Sequence, residues 1–228
     1  GRLRRDMGVL PPGDFRNCLV AMSDTESLLT DLFQYRFDQD SELKGHSFGN
    51  LFIAAMTNVT QSFGRALYES SRVLAVRGQI IPSTVGNIRL SARLKNGEIV
   101  DGESTISKTS DNIDEVFITP SDVDAYPYAI EAIQEAQLIV IGPGSLYTSI
   151  MPNLLLKEVS EALRNSIGIK IYVCNVATEQ GETIGYTVSD HFEALQKHTY
   201  SKIVDYVVAN NARVELSSEY DGQQVVND

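Results

Sequence analysis

The stretch Leu138-Ile-Val-Ile-Gly-Pro-Gly-Ser145 predicts a short apolar β-strand that runs directly into a glycine-containing loop. Helical patterns flank this stretch, at Tyr128–Ala136 before it and from about Pro152 to Asn165 after it. A second buried strand is predicted at Lys170–Cys174. Because short apolar strands alternate with helices, the pattern favours right-handed βαβ units around a parallel sheet.

Further elements extend this pattern toward both ends of the chain. Toward the C-terminus, His191–His198 is typical of a helix and Tyr206–Ala209 of another strand. Toward the N-terminus, apolar residues three and four positions apart predict several helices. They cover Asn17–Met22, Leu28–Phe37, Ser47–Met56 with Ser47 as the N-cap, and about Val59–Val76.

The region between these two halves is rich in β-strand signals. Gln79–Pro82 and Val85–Leu94 are its first two runs, and in the second run apolar residues alternate with polar ones up to Leu94. Asn96-Gly97 follows, the dipeptide that favours a tight hairpin turn, and Ile99–Ile106 is predicted as the return strand. We therefore expect a single domain over residues 1–228, with an antiparallel insertion at about residues 79–118.

Composition excludes several classes of protein. The chain has 228 residues, of which 43% are hydrophobic and 21% charged, as expected for a protein with a packed core. Its net charge of −11 argues against binding to a nucleic acid polymer. No apolar run reaches the roughly 20 residues that a membrane span needs. Two distant cysteines, Cys18 and Cys174, favour a reduced intracellular compartment.

The loop after the first strand is the leading candidate for a ligand site, because ligands in α/β sheets bind beyond the carboxyl ends of the strands. Its glycines allow a ligand to approach the backbone, and successive N–H groups there could bind an anion. The alternative is a tight turn with a hydroxyl cap. The candidate ligand residues are Gly142, Pro143, Gly144, Ser145, Thr148 and Ser149.

A second loop, from Cys174 to Thr183, follows the next strand. Asn175, Thr178 and Gln180 offer neutral hydrogen-bonding groups that suit a base, a ribose or a phosphate. Asn175 and Gln180 are the candidates carried forward. An ordinary polar connection would look the same.

Two segments in the first half of the chain are further candidates. His46 lies at a helix start, where its ring could meet a phosphate; a structural role is the alternative for a lone histidine. Asn50, which lies near Ser47 on the same helix face, is a further ligand candidate. Asp14 precedes Arg16 and Asn17; a helix cap by Asp14 is the alternative to ligand contact. Other groups are Arg2, Arg4 and Arg5, which could pair with phosphates or lie in solvent, and Tyr147 and Tyr220, which could stack on a base.

Several motifs occur together and in order, and the set is more specific than any one of them. They are Gly1-Arg-Leu-Arg, Pro11-Pro-Gly-Asp-Phe-Arg-Asn17, Gly45-His-Ser-Phe-Gly-Asn50, Ile141-Gly-Pro-Gly-Ser-Leu-Tyr-Thr-Ser149, and Asn175 with Gln180-Gly-Glu-Thr183. Together they resemble the gluconeogenesis factor family over nearly the whole chain. That family is related to 2-phospho-L-lactate transferase, which acts in deazaflavin coenzyme biosynthesis.

The resemblance implies a Rossmann-like α/β fold, with a mostly parallel sheet flanked by helices, in a cytoplasmic bacterial protein. It also implies UDP-sugar binding and a link to growth on gluconeogenic carbon sources, cell shape and peptidoglycan synthesis. Two departures stand out. The family's N-terminal strand and Gly-rich loop, with the acidic pair that would carry any metal, are absent, and the Asn175 loop differs from the family's usual Met-Thr-Gln-Pro-Gly.

Three hypotheses about function remain open. The first is a non-catalytic regulatory protein that binds a nucleotide or nucleotide sugar. The second is a magnesium-dependent transferase that moves a phospholactyl group from a nucleotide-activated donor to a deazaflavin alcohol. The third, an NAD(P)-dependent oxidoreductase, is disfavoured because no GxGxxG with a following acidic residue is visible. The sequence leaves open whether the chain forms a homo-oligomer.

Overall fold

The computed structural model describes residues 10, 12–24, 28–38, 42–109, 112–213, 215–217 and 219–228. Two compact units divide the chain, one ending at Val85 and the other beginning at Gly86. Each unit contains its own cluster of buried apolar side chains. The expectation of one domain over residues 1–228 stays a prediction.

The first unit is helical in the residues described. Its helices are α1 (Gly13–Ala21), α2 (Leu28–Gln34), α3 (Phe48–Thr60) and α4 (Phe63–Val73). Apolar side chains from all four meet in one core, because each helix turns an apolar face inward. The buried members of this core are Leu19, Phe33, Ile53, Phe63, Leu67 and Leu74.

The predicted N-cap at Ser47 is confirmed, whereas some helix boundaries were wrong. The Ser47 hydroxyl accepts a hydrogen bond from the Asn50 N–H, and α3 continues to Thr60 rather than ending at Met56. Gln61 then adopts a left-handed conformation, with φ of 55°, which stops the helix. Ser62 caps the next helix, so α4 begins at Phe63 and not near Val59.

The second unit opens with a small antiparallel sheet. Its strands β1 (Arg89–Leu94), β2 (Ile99–Asp101) and β3 (Ile113–Thr119) lie in the order β2-β1-β3. The predicted turn at Asn96-Gly97 joins β1 to β2, and Gly97 has the positive φ, 90°, that such a turn requires. The antiparallel insertion is therefore confirmed.

Two strand predictions in this region were wrong. Gln79–Pro82 forms no strand, since Pro82 lacks the N–H that a ladder needs. The return strand ends at Asp101 because Gly102 adopts a positive φ of 86°. A short helix, α5 (Glu103–Ile106), replaces the rest of the predicted strand.

The parallel sheet is confirmed. Strands β4 (Leu138–Ile141), β5 (Ile169–Val173) and β6 (Tyr206–Val208) lie in sequence order and pair in parallel. Helices α6 (Pro127–Glu135), α7 (Met151–Leu154), α8 (Lys157–Asn165) and α9 (Val188–His198) complete the unit. The fold is thus α/β and Rossmann-like, with helices flanking a parallel sheet, as the sequence predicts.

The strands of this sheet are buried on one face only, which corrects the expectation of wholly buried strands. Ile141 and Tyr172 face the core, whereas Leu138 and Val140 are 54% and 52% exposed. Side chains alternate between the two faces of a strand, so apolar residues on the second face stay accessible. A continuous apolar run therefore did not mean burial on both sides.

The segment after β4 differs from the single helix that the sequence predicts. A π-helical turn, Leu146–Ile150, comes first and runs into the short helix α7. Leu156 has extended backbone angles and is almost fully buried, and α8 begins after it. The π-helical turn belongs to the candidate site, because its residues directly follow the glycine loop, Gly142–Ser145.

Candidate functional site

The glycine loop leaves β4 with a backbone conformation that only glycine accepts easily. Gly142 has a φ of 86°, and a Cβ atom placed there would lie 2.9 Å from the Val173 carbonyl oxygen. Gly144 differs, because the nearest heavy atoms to an added Cβ lie at 3.7 Å or more. Gly142 is therefore required for the fold, whereas the space beside Gly144 admits a side chain or a ligand.

The structure brings the two predicted loops together. The Gly144 N–H donates to the Asn175 Oδ1 at 3.2 Å. This contact is possible because β4 and β5 are parallel neighbours, so their carboxyl ends meet at the same edge of the sheet. The Asn175 oxygen is thereby engaged within the protein, and its amide nitrogen donates to Glu179 Oε1 at 3.5 Å.

Glu182 anchors the π-helical turn, and it was missing from the predicted site. One of its carboxylate oxygens accepts from the N–H groups of Tyr147 and Thr148, at 2.9 and 3.2 Å. The other accepts from the Thr148 hydroxyl at 2.6 Å. Glu182 is only 4% exposed, and burial raises its pKa, although these hydrogen bonds oppose the shift.

These contacts reduce the number of donors that the predicted anion-binding loop has free for a ligand. The Thr148 hydroxyl and the N–H groups of Gly144, Tyr147 and Thr148 already have protein acceptors. The Ser149 N–H donates to the Ser145 carbonyl oxygen. Within the part of the chain described, the N–H groups of Ser145 and Leu146 have no protein acceptor, so they are the donors that remain for a ligand.

The other predicted residues around this loop are placed differently from one another. Pro143, Ser149 and Gln180 are exposed at the surface. Thr178 is buried, and its hydroxyl accepts from the Gln223 N–H at 2.9 Å, so it joins the loop to the C-terminal segment. The idea that Thr178 reads a ligand therefore finds no support in its geometry.

Of the two tyrosines considered for stacking on a base, Tyr147 is too deeply buried for that role. Tyr147 is 2% exposed, and its hydroxyl lies 2.9 Å from that of Tyr186. A base has no access to a ring buried in this way. Tyr220 is 44% exposed, and its hydroxyl donates to the Thr178 carbonyl oxygen.

The first unit places its candidates around the start of α3. His46 is half-buried, and its carbonyl oxygen accepts from the Phe37 N–H at 2.9 Å. The Asn50 side-chain oxygen is buried and has no hydrogen-bond partner. Gly49 packs closely, since an added Cβ would lie 2.8 Å from Arg16 Cγ. The chain segments of Arg16, His46 and Asn50 are thus brought together within this unit.

The α1 candidates have unequal burial. Asp14 and Asn17 are exposed, whereas Arg16 is 8% exposed. The cap proposed for Asp14 was wrong, because α1 begins at Gly13 without a side-chain cap and Asp14 lies in its first turn. Arg2, Arg4 and Arg5 lie outside the described residues.

A magnesium ion, which the transferase hypothesis needs, finds no site in the described part of the chain. There, His, Cys, Asp and Glu form no group of three or more that could hold a metal ion.

A cleft of about 590 Å³ lies elsewhere on the second unit. Side chains of α9, together with Lys95 and Asp114, form its walls, and Tyr147 and Tyr186 lie at its base. Tyr147, which was considered for stacking on a base, lines this cleft, whereas none of the residues from Gly142 to Ser145 does. The cleft is therefore a separate feature from the glycine loop.

The chain is similar to proteins of a known family over almost all of its residues. The family described as "2-phospho-L-lactate transferase CofD" matches residues 1–227. The chain belongs to the CofD family. Within this family, a gluconeogenesis factor from Bacillus subtilis is 46% identical over 223 residues, which cover 97% of this chain and 70% of that protein. The resemblance to gluconeogenesis factors is therefore confirmed.

Other CofD-family relatives agree. A putative gluconeogenesis factor from Clostridium acetobutylicum is 48% identical over 226 residues, which are 96% of this chain and 50% of that protein. The chain thus spans half the length of this relative. A crystal structure of a UPF0052 family protein from Bacillus halodurans matches with a TM-score of 0.95 and 44% identity, covering 100% of this chain and 75% of that one.

Among the residues described, no helix combines the length and the apolar character that crossing a bilayer would require.

Proposed function

We propose that this chain is the nucleotide-sugar-binding part of a gluconeogenesis-factor-type regulatory protein that acts in the cytoplasm. Its ligand would be a UDP-sugar, and the protein would support growth on gluconeogenic carbon sources, cell shape and peptidoglycan synthesis. Membership of the CofD family and the names of its relatives support the first part. The cellular roles rest on the family resemblance.

One observation carries the proposal of a binding site. The glycine loop is held in place from two sides, by Asn175 at Gly144 and by Glu182 at the π-helical turn. This support leaves the N–H groups of Ser145 and Leu146 without protein acceptors in the described part of the chain. A rigid loop with free donors loses little conformational entropy when a ligand binds, which favours affinity.

The same geometry favours binding over catalysis at this loop. Catalysis needs a group of suitable pKa within hydrogen-bond reach of the reacting atom. Glu182, the buried carboxylate of the second loop, already accepts three hydrogen bonds within the protein. It therefore serves to hold the loop in place rather than to move a proton.

Each unit has its own set of residues proposed to contact a ligand. The group in the second unit comprises Gly142, Pro143, Gly144, Ser145, Thr148, Ser149, Asn175 and Gln180. The group in the first unit comprises Asp14, Arg16, Asn17, His46 and Asn50. In both groups the expected contribution is binding and orientation of the ligand.

A thermal-shift screen tests this proposal. The protein is heated with UDP-sugars, GDP or NAD(P), each with and without magnesium. A ligand that binds only the folded state raises the midpoint of unfolding by mass action. We expect a UDP-sugar to give the largest shift, whereas a shift with NAD(P) alone would contradict the proposal.

The family description supports a second candidate, a transferase of the 2-phospho-L-lactate type. It would move a phospholactyl group to a deazaflavin alcohol. Turnover of a nucleotide-phospholactate donor with magnesium, followed by chromatography of the products, would favour it over the regulatory role. Tight UDP-sugar binding without turnover favours the regulatory protein.

A further inference from the structure

Arg16 is a buried charge in the first unit. Its side chain projects from α1 and is 8% exposed, and Gly49 of α3 packs against its aliphatic part. Burying a guanidinium is costly unless hydrogen bonds and an opposite charge compensate. The partners of Arg16 therefore show whether this cost is met within the protein.

Those partners are few. Arg16 Nη2 donates to the Oδ1 of the adjacent Asn17 at 2.6 Å, and Arg16 Nε is buried without any hydrogen-bond partner. No carboxylate among the described residues forms an ion pair with Arg16; Asp14 acts on it only through its field. A buried guanidinium with an unused donor and no counter-ion is rare in a folded protein.

A second guanidinium lies near the first. Burial lowers the pKa of Arg16, and the positive charge of Arg36 lowers it further. Arg36 itself is exposed, and one of its Nη atoms donates to the Gly45 carbonyl oxygen at 2.6 Å. Two guanidiniums so arranged repel each other unless an anion lies between them.

The start of α3 lies against both arginines. Arg36 forms an isolated antiparallel bridge with Ser47, the N-cap of α3, while Gly49 in its first turn contacts Arg16. The positive end of a 13-residue helix adds to the field of the guanidiniums. Three features of this unit therefore favour an anion at one place.

We propose that Arg16 and Arg36 form a binding site for a phosphate-type oxyanion. Guanidinium groups suit this chemistry because their N–H groups match the spacing of phosphate oxygens. This proposal deepens the proposed function. It rests on that function in one respect, since the oxyanion expected to bind here is the diphosphate of a nucleotide sugar.

Isothermal titration of the protein with pyrophosphate, in a buffer free of phosphate and sulfate, tests the site. We expect binding by the unchanged protein and a loss of about tenfold or more in Arg16→Gln and in Arg36→Gln, because charge-assisted bonds are removed. Arg65→Gln is the matched control. Arg65 is an exposed arginine of the same unit, so the variant removes the same net charge without touching the site.

Several outcomes would overturn the site. Absence of pyrophosphate binding to the unchanged protein would do so, as would an equal loss in Arg65→Gln, which would indicate a general charge effect. Because Arg16 is buried, circular dichroism melts accompany each variant, and the exposed Arg36→Gln decides the matter if Arg16→Gln does not fold. Unimpaired pyrophosphate affinity in Arg36→Gln would then count against the site.

Titration of the same variants with a UDP-sugar separates the two proposals. UDP-sugar binding that is the same in all variants, without pyrophosphate binding, would reject the arginine site and leave the proposed function standing. Pyrophosphate binding that depends on Arg16 and Arg36, without UDP-sugar binding, would keep the anion site and reject the nucleotide sugar as its ligand.

Discussion

The glycine loop of the second unit (Gly142–Ser145) and the arginine region of the first unit (Arg16, Arg36 and the start of α3) differ in whether their polar groups have hydrogen-bond partners. In the glycine loop and the π-helical turn after it, Asn175 and Glu182 accept hydrogen bonds from three backbone N–H groups. In the arginine region, Arg16 Nε and the Asn50 side-chain oxygen are buried without partners. Polar groups that are hydrogen-bonded within the protein fix the shape of a loop. Buried polar groups without partners lower the stability of the folded state, and a ligand that binds them can restore it.

This difference assigns different tasks to the two regions. Changes at Gly142 and Glu182 should first affect folding, because these residues hold the glycine loop in place within the protein. Changes at the arginines should first affect anion binding and leave stability less altered. The predictions below test this division, beginning with the largest expected effect.

Replacing Gly142 with alanine should destabilise the second unit by about 3 kcal/mol, since the added Cβ meets the Val173 carbonyl oxygen at a positive φ. Gly144→Ala is the matched control and should cost under about 0.5 kcal/mol, because its Cβ has room. Urea unfolding followed by circular dichroism measures both. Equal stabilities for the two variants would contradict the described loop conformation.

Removal of the Glu182 carboxylate should cost about 2–3 kcal/mol, because two buried N–H groups and a hydroxyl lose their acceptor. Glu182→Ala tests this loss, and Glu182→Gln retains an acceptor and should recover part of it. Chemical denaturation at neutral pH gives the comparison. If alanine proves as stable as glutamine, the anchoring role is wrong.

The pH dependence of the Glu182 contribution should be smaller and has a defined sign. Burial raises the pKa of Glu182 in the folded state above its ordinary value of 4.5. The folded state therefore holds this proton more tightly, so the contribution to stability is fully present below pH 4.5 and falls as the pH rises through the folded-state pKa.

The measurement compares unchanged protein with Glu182→Gln in urea at a series of pH values. As the pH rises from about 4 to 7, the free energy of unfolding of the unchanged protein should fall relative to that of Glu182→Gln. A difference that moves the other way, or stays constant, would show that the pKa is not raised.

Local signals made much of the fold predictable. Ser47 could be recognised as an N-cap because its hydroxyl acts on a residue three positions away. The parallel strands and the Asn96-Gly97 turn are likewise set by short-range patterns. The glycine loop could be recognised as a candidate because it follows a strand in an α/β pattern.

Other features depend on residues far apart in the chain. Glu182 reaches Tyr147 and Thr148 across more than thirty residues, so no local period marks it as an anchor. The burial of Arg16 depends in part on Gly49, which belongs to another helix. The π-helical turn also escaped prediction: the sequence predicts a loop up to about Pro152, and the Glu182 contacts that support the turn come from far along the chain.

The central claim is that the space beside Gly144 receives a nucleotide sugar. Isothermal titration with a UDP-sugar, using the unchanged protein and Gly144→Val, tests it most directly. The account predicts that Gly144→Val folds, since the nearest atoms to its Cβ lie at 3.7 Å or more, yet binds the ligand at least about tenfold more weakly. Unchanged affinity in a folded Gly144→Val protein would contradict the account.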